Sequence, residues 1–170
     1  MIAENVIRTF LMAMLPIGEL RFSLPWAINF FHIPWPVAFL TSVLGNILPV
    51  PFILIFFEQL PRFSHKLGPL EKALNWLLKQ TRLKSKFVEK YAGLGLAIFV
   101  AIPLPATGAW TGAIIAFLLG MRWWVAMLAI SAGVVMAGAI VLALTFMGWA
   151  GAIIATVGFI ILTLLGWWKL

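Results

Sequence analysis

Two long apolar stretches are each broken in the middle, one in either half of the chain, and this pairing constrains the fold more than any other feature. The first carries Leu15-Pro16-Ile17-Gly18-Glu19-Leu20-Arg21-Phe22-Ser23-Leu24-Pro25-Trp26, and the second carries Ile102-Pro103-Leu104-Pro105-Ala106-Thr107-Gly108-Ala109-Trp110-Thr111-Gly112. A broken backbone exposes N–H and C=O groups that lipid cannot pair, so it persists at membrane depth only when packed in protein or lining a wet cavity. Re-entrant helical hairpins over about residues 6–31 and 92–120 meet that demand most economically; a kinked spanning helix is the alternative. The breaks are assigned to Pro16, Gly18 and Pro25 in the first stretch, and to Pro103, Pro105 and Gly108 in the second. Broken hydrophobic segments at corresponding places in two halves point to a transporter's central binding site.

The setting is a membrane. Of the 170 residues, 64% are hydrophobic and only 10% charged, against about 25% charged in a soluble domain. Residues Trp35 to Phe57 carry no charge and suffice for one span, which Glu58, Gln59, Pro61 and Arg62 should end; Trp123 to Met147 and Trp149 to Trp168 supply two more. Tryptophans stand at the ends of these spans, as an aromatic belt requires. The net charge of +7 does not read as a nucleic-acid surface, because most of it falls in one connector, residues 59–90. A basic connector is retained in the cytoplasm, touching anionic lipid heads. Within it, Leu70, Leu74, Leu77 and Leu78 form one stripe of a short amphipathic helix at the interface. Glu4 before Arg8 and the absence of a small-x-small site argue against a cleaved signal peptide.

The halves can be overlaid. A shift of 88 residues puts Trp35, Val37, Ala38, Leu40 and Gly45 on Trp123, Val125, Ala126, Leu128 and Gly133, and a shift of 89 puts Leu15-Pro16 on Leu104-Pro105. With residues 59–90 cytoplasmic, the two halves run in opposite senses, as in many secondary transporters. The expected architecture is an all-α integral membrane protein in one membrane domain, residues 1–170. It comprises a first repeat (1–58), the basic connector (59–90), a second inverted repeat (91–147) and a C-terminal transmembrane helix (148–170). Each repeat is a re-entrant hairpin followed by a transmembrane helix.

Glu19 and Arg21 are the only charges in the first break. Ionisable groups at membrane depth usually pair or line a pathway. Two positions apart, they share a side only where the backbone leaves the helix, since helical neighbours are three or four apart. Glu19 can take up and release protons, or form a structural pair with Arg21. Arg122 can bind an anionic head group, pair with Glu19, or anchor at the interface beside Trp123 and Trp124. Thr107, Trp110 and Thr111 offer hydroxyls and a ring face in the second break, where Gly108 and Gly112 can also serve close helix packing. Asn46, before Pro49 and Pro51, caps a kink or touches cargo. No Walker loop, no HExxH and no aspartate occur, so neither a nucleotide-driven pump nor a metal site is expected. No cofactor and no catalytic constellation is expected either; the chain does not read as an enzyme.

Through Leu15–Trp26 (LPIGELRFSLPW), Gly45–Pro51 (GNILPVP) and Pro103–Gly112 (PLPATGAWTG), the chain resembles the prokaryotic small multi-drug export protein family, a distant relative of the DedA/VTT membrane proteins. The resemblance implies a cytoplasmic-membrane protein with paired re-entrant hairpins in inverted repeats. It also implies that Glu19 and Arg122 match a functional acid and arginine of DedA-like proteins. The expected function is a small secondary exporter, proton-coupled through Glu19, with its site between the two hairpin tips. A lipid flippase or scramblase handling a phospholipid or polyprenyl phosphate, and a non-transporting scaffold, are the alternatives. Membrane lipids, a small-molecule or lipid substrate and a second copy of the chain are the expected partners.

Overall fold

The computed structural model describes residues 2–64, 86–104 and 107–168. Among them every regular element is an α-helix: α1 (Ile2–Met14), α2 (Glu19–Asn29), α3 (Trp35–Ile47), α4 (Pro49–Ser64), α5 (Lys86–Ala101), α6 (Ala109–Leu118), α7 (Trp123–Phe146) and α8 (Trp149–Trp168). Two stretches are long and apolar enough to cross a membrane, Trp35–Phe57 and Trp123–Phe146, which are the first two spans read from the sequence. The amphipathic helix around Leu70–Leu78, Pro105 and Lys169 lie outside the described residues.

Prolines shape the first span. Pro34 and Pro36 open α3, where the first N–H groups would be unpaired in any case. Pro49 and Pro51 have no N–H for the carbonyls of Gly45 and Ile47, and there the span divides into α3 and α4 at Leu48. Helix α4 runs on past Glu58 to Ser64, so the polar residues end the apolar stretch but not the helix. Pro25 is also not where the sequence placed it. It lies inside α2 rather than at a break. Its missing N–H costs only the bond to the Arg21 carbonyl, one turn from the helix start.

The two spans are antiparallel. The ring of Trp35, at the start of α3, meets Phe146, at the end of α7, with centroids 6.3 Å apart. Phe39, one turn further on, packs its Cε2 against Gly138. Each span receives the first arm of its own half's broken segment at a glycine. A Cβ on Gly45 would lie 2.6 Å from Phe10 O and 2.9 Å from Ala13 Cβ; one on Gly133 would lie 2.7 Å from Ala97 O and 2.6 Å from Val100 Cβ. The second arms cross over: α2 packs on α7, and α6 packs on α4. The turn before each span is built on a left-handed residue three positions before its tryptophan, His32 (φ 51°) before Trp35 and Gly120 (φ 63°) before Trp123.

The core between these helices is made of small and branched side chains, among them Leu20, Leu24, Val50, Val100, Ala109, Ile130 and Val134. Small residues let backbones approach, which is how helices associate where lipid removes the hydrophobic driving force. Gly95 makes no such contact, since nothing lies within 4 Å of its built Cβ. Gly95→Ala in the interior of α5 should therefore raise stability by about 0.5–1 kcal/mol, read as a higher unfolding midpoint in detergent micelles. A lower midpoint would mean that another surface packs there.

Candidate functional site

The first break begins where α1 ends at Met14 and the chain turns through Leu15–Gly18. Glu19, the first residue of α2, has φ 43°, a conformation that costs a non-glycine residue about 1–3 kcal/mol and persists only when its surroundings fix it. The sequence reading required the backbone to leave the helix for Glu19 and Arg21 to meet. It does so by this one left-handed residue. Arg21 Nη1 then donates to Glu19 Oε2 at 2.9 Å, with the Glu19 side chain almost fully buried.

What fixes Glu19 is the second break. Gly108 is the N-cap of α6 and makes no side-chain cap. The Glu19 carboxylate lies against Gly108, in the space a Cβ would need, and accepts the backbone N–H of Trp110. Helix α6 is thus capped from α2, with an acceptor on its N2 amide and a negative charge at its positive end.

Arg21 does the reciprocal work at the end of α5. Its Nη2 donates to Val100 O (3.3 Å), Ile102 O (3.1 Å) and Thr107 Oγ1 (2.9 Å), so a cation sits on the carbonyls at and just beyond a helix C-terminus. Thr107 shares its single hydroxyl proton between Ile102 O at 2.7 Å and Leu104 O at 2.8 Å, which closes the loop on itself. From the other side, Trp110 Nε1 donates to Met14 O, the last carbonyl of α1, at 3.1 Å. Each break therefore ties off the other's orphan carbonyls. The shift of 89 residues that aligns the breaks also puts Arg21 on Trp110 and Glu19 on Gly108.

Beside this network lies a cavity of about 700 Å³, walled by α2, the second break, α7 and α8. Arg21, Pro25 and Asn29, four apart on one face of α2, form one side; Ile140, Leu144 and Thr145 of α7 and Ala152 of α8 stand among the others. The wall is predominantly apolar, and Arg21 is the one charged side chain among the described lining residues. Its opposite end is marked by Asn29 and Trp149. At about 1.5 Å rise per residue, Arg21 and Asn29 stand some 12 Å apart along α2.

Glu19, Arg21, Thr107 and Trp110 thus come together, with Pro16, Gly18, Pro103 and Gly108 in the two breaks. Asn46 is buried on α3 with Oδ1 lacking a partner, and it makes no hydrogen bond to the Glu19–Arg21 network. Thr111 is half-buried on α6, one residue beyond Trp110. Arg122 stands exposed at the N-cap of α7 beside Trp123 and Trp124, eleven residues or about 16 Å of helix from Gly133. Glu19 is paired with Arg21 here, not with Arg122. The cavity residues Asn29, Thr145 and Ala152 were not singled out from the sequence. The stripe at 21, 25 and 29 was the available signal, but it emerges only once Pro25 is placed inside a helix.

Neither the curated proteins nor the solved structures contain a match to this chain. A protein-family model does match, over residues 19–140, from the carboxylate that caps α6 to the first of the α7 residues that line the cavity. That is well over half of a strongly apolar chain with two membrane-length helices, and the chain belongs to the membrane-protein family described as "Putative small multi-drug export protein".

Proposed function

We propose that this chain is a small secondary membrane transporter that exports amphipathic molecules, and that the cavity between α2, α7 and α8 is its substrate site. The observation that carries this reading is a largely apolar cavity, some 700 Å³ in volume, bounded by the arginine that locks the two broken segments together. Small-molecule sites have volumes of about 300–1,000 Å³, apolar walls and a few convergent polar groups.

The reading takes the broken segments as re-entrant hairpins in inverted repeats. In support, Gly45 and Gly133 are each the eleventh residue of their spans, Trp35–Phe57 and Trp123–Phe146. Eleven residues of helix reach about 15 Å, half of a hydrocarbon core of about 30 Å. The ends of α1 and α5 meet the spans at those glycines. The antiparallel spans, the crossed second arms and the reciprocal Arg21 and Trp110 ties all fit one two-fold relation. Kinship with DedA-like proteins rests on the same helix–break–helix pattern. Orientation follows the basic connector, with residues 59–90 cytoplasmic and the Asn29–Trp149 end of the cavity outside. Within the cycle Glu19 is the group that exchanges protons.

Ala152→Phe, which fills the cavity from its α8 wall, tests the assignment. In proteoliposomes loaded with a panel of amphipathic dyes of both charges, the variant should lose at least tenfold in efflux while keeping its unfolding midpoint. Efflux at the parental rate would move the substrate site elsewhere, and an absence of efflux from both proteins would favour a scaffold.

A further inference from the structure

The cavity and its arginine carry a statement about the cargo's charge, which rests on the transport reading above. We infer that the cavity takes an amphipathic anion, whose oxyanion head displaces the Glu19 carboxylate from Arg21 and from the amino end of α6, while its apolar body lies against α7 and α8.

The first support is an asymmetry. Arg21 and Glu19 are paired at 2.9 Å, yet only Arg21 lines the cavity. Glu19 faces the other way, onto Gly108 and the Trp110 amide. A molecule entering from the Asn29 end therefore meets the guanidinium side of the pair, with the carboxylate behind it. A cationic head group would meet that guanidinium before the carboxylate, and like charges brought together cost several kcal/mol.

The second support is the seat that Glu19 occupies. A guanidinium, the N2 amide of a helix start and a glycine that leaves room for an oxyanion converge on one carboxylate. Helix N-termini and arginine are the usual means of holding carboxylates and phosphates. This carboxylate reaches the seat from a left-handed residue, so part of the energy of its contacts goes to holding a strained backbone, and a free anion would carry no such cost. The third support is Arg21 Nε, buried without an acceptor. In this state the arginine has donor capacity left, and a second oxyanion would fill it.

The exchange keeps the site from standing open. When the anion leaves, Glu19 returns, so the buried arginine is never without a counter-charge, a condition that is strongly destabilising. The chemistry requires one carboxylate or phosphate head on one apolar body. Such a molecule is either a membrane lipid or a free amphiphile.

The test uses the full-length protein in uncharged detergent micelles, with thermal unfolding read in the presence of decyl phosphate, decanoate or decyltrimethylammonium. Decyl phosphate and decanoate should raise the midpoint by several degrees, and decyltrimethylammonium should not. Ala152→Phe should abolish the rise, Arg21→Gln should abolish it, and Glu19→Gln, which removes the tethered competitor, should tighten decyl phosphate binding about tenfold. Should either charge variant not fold, discrimination between the probes by the parental protein and its loss in Ala152→Phe still decide. Stabilisation by decyltrimethylammonium alone, lost in Ala152→Phe, would overturn the anion while leaving the cavity as the substrate site. Probe effects indifferent to Ala152→Phe would overturn both. In nanodiscs, weaker decyl phosphate binding when phosphatidylglycerol replaces phosphatidylcholine would assign the anion to a lipid, and unchanged binding would assign it to a free amphiphile.

Discussion

Arg21→Ala should cost about 3–5 kcal/mol of stability, the usual penalty for leaving one partner of a buried ion pair uncompensated. The loss has two parts. Glu19, buried against Gly108, is left with a charge that only the amino end of α6 still offsets, and the Val100 carbonyl loses its donor while that of Ile102 keeps only its bonds within the break. Glu19→Ala should be milder than Arg21→Ala, because the freed guanidinium keeps those carbonyls and faces the cavity. The double variant Glu19→Ala/Arg21→Ala should lose less than the two single variants together. The coupling energy of the cycle is expected at about 0.5–3 kcal/mol. Thermal unfolding of the four proteins in one detergent measures it, and strictly additive losses would mean that the pair contributes nothing as a pair.

Gly45→Val and Gly133→Val should be comparably damaging, at 1–3 kcal/mol or more apiece, with overpacking as the cause. In each case the new Cβ falls within 2.7 Å of a backbone oxygen, Phe10 O or Ala97 O, which cannot rotate away as a side chain would. Relief requires α1 to move from α3, or α5 from α7, and that displaces the break at the end of the arm. The signature is a matched loss of unfolding midpoint and of the monodisperse peak in size-exclusion chromatography. A tolerated Gly133→Val would show that α5 does not reach the middle of its span.

Much of the framework is legible in the chain, for reasons of solvent. Uncharged apolar runs of span length and their bordering tryptophans give Trp35–Phe57 and Trp123–Phe146 directly, because lipid tolerates little else. The breaks at Pro16–Gly18 and Pro103–Gly108 follow from the same argument. Pro25 misleads because proline marks a break only where the freed carbonyl has no other use, and near a helix start the loss is small. The left-handed Glu19 leaves no local trace, since glutamate ordinarily avoids that conformation. Its cause is Gly108, 89 positions away. Asn46 and Arg122 were picked out by residue type at membrane depth or its edge. Type says that a group is costly there, not which neighbours it meets, and neither shows a bond to the Glu19–Arg21 network. The cavity was not legible because α8, joined to α7 by a tight turn at Gly148, supplies a wall that lies beyond both broken segments and their spans.

The bonds from Arg21 to Val100 and Ile102 span 79 and 81 positions of chain, and that separation sets a timetable for biosynthesis. At about 5–20 residues per second, the ribosome takes some 4–16 s to deliver those carbonyls after α2 has been made. Throughout that interval a guanidinium that ends up largely buried has only Glu19 to pair with. The nascent first half must keep α2 near water or under the shelter of the insertion machinery, and seat it when the second break arrives.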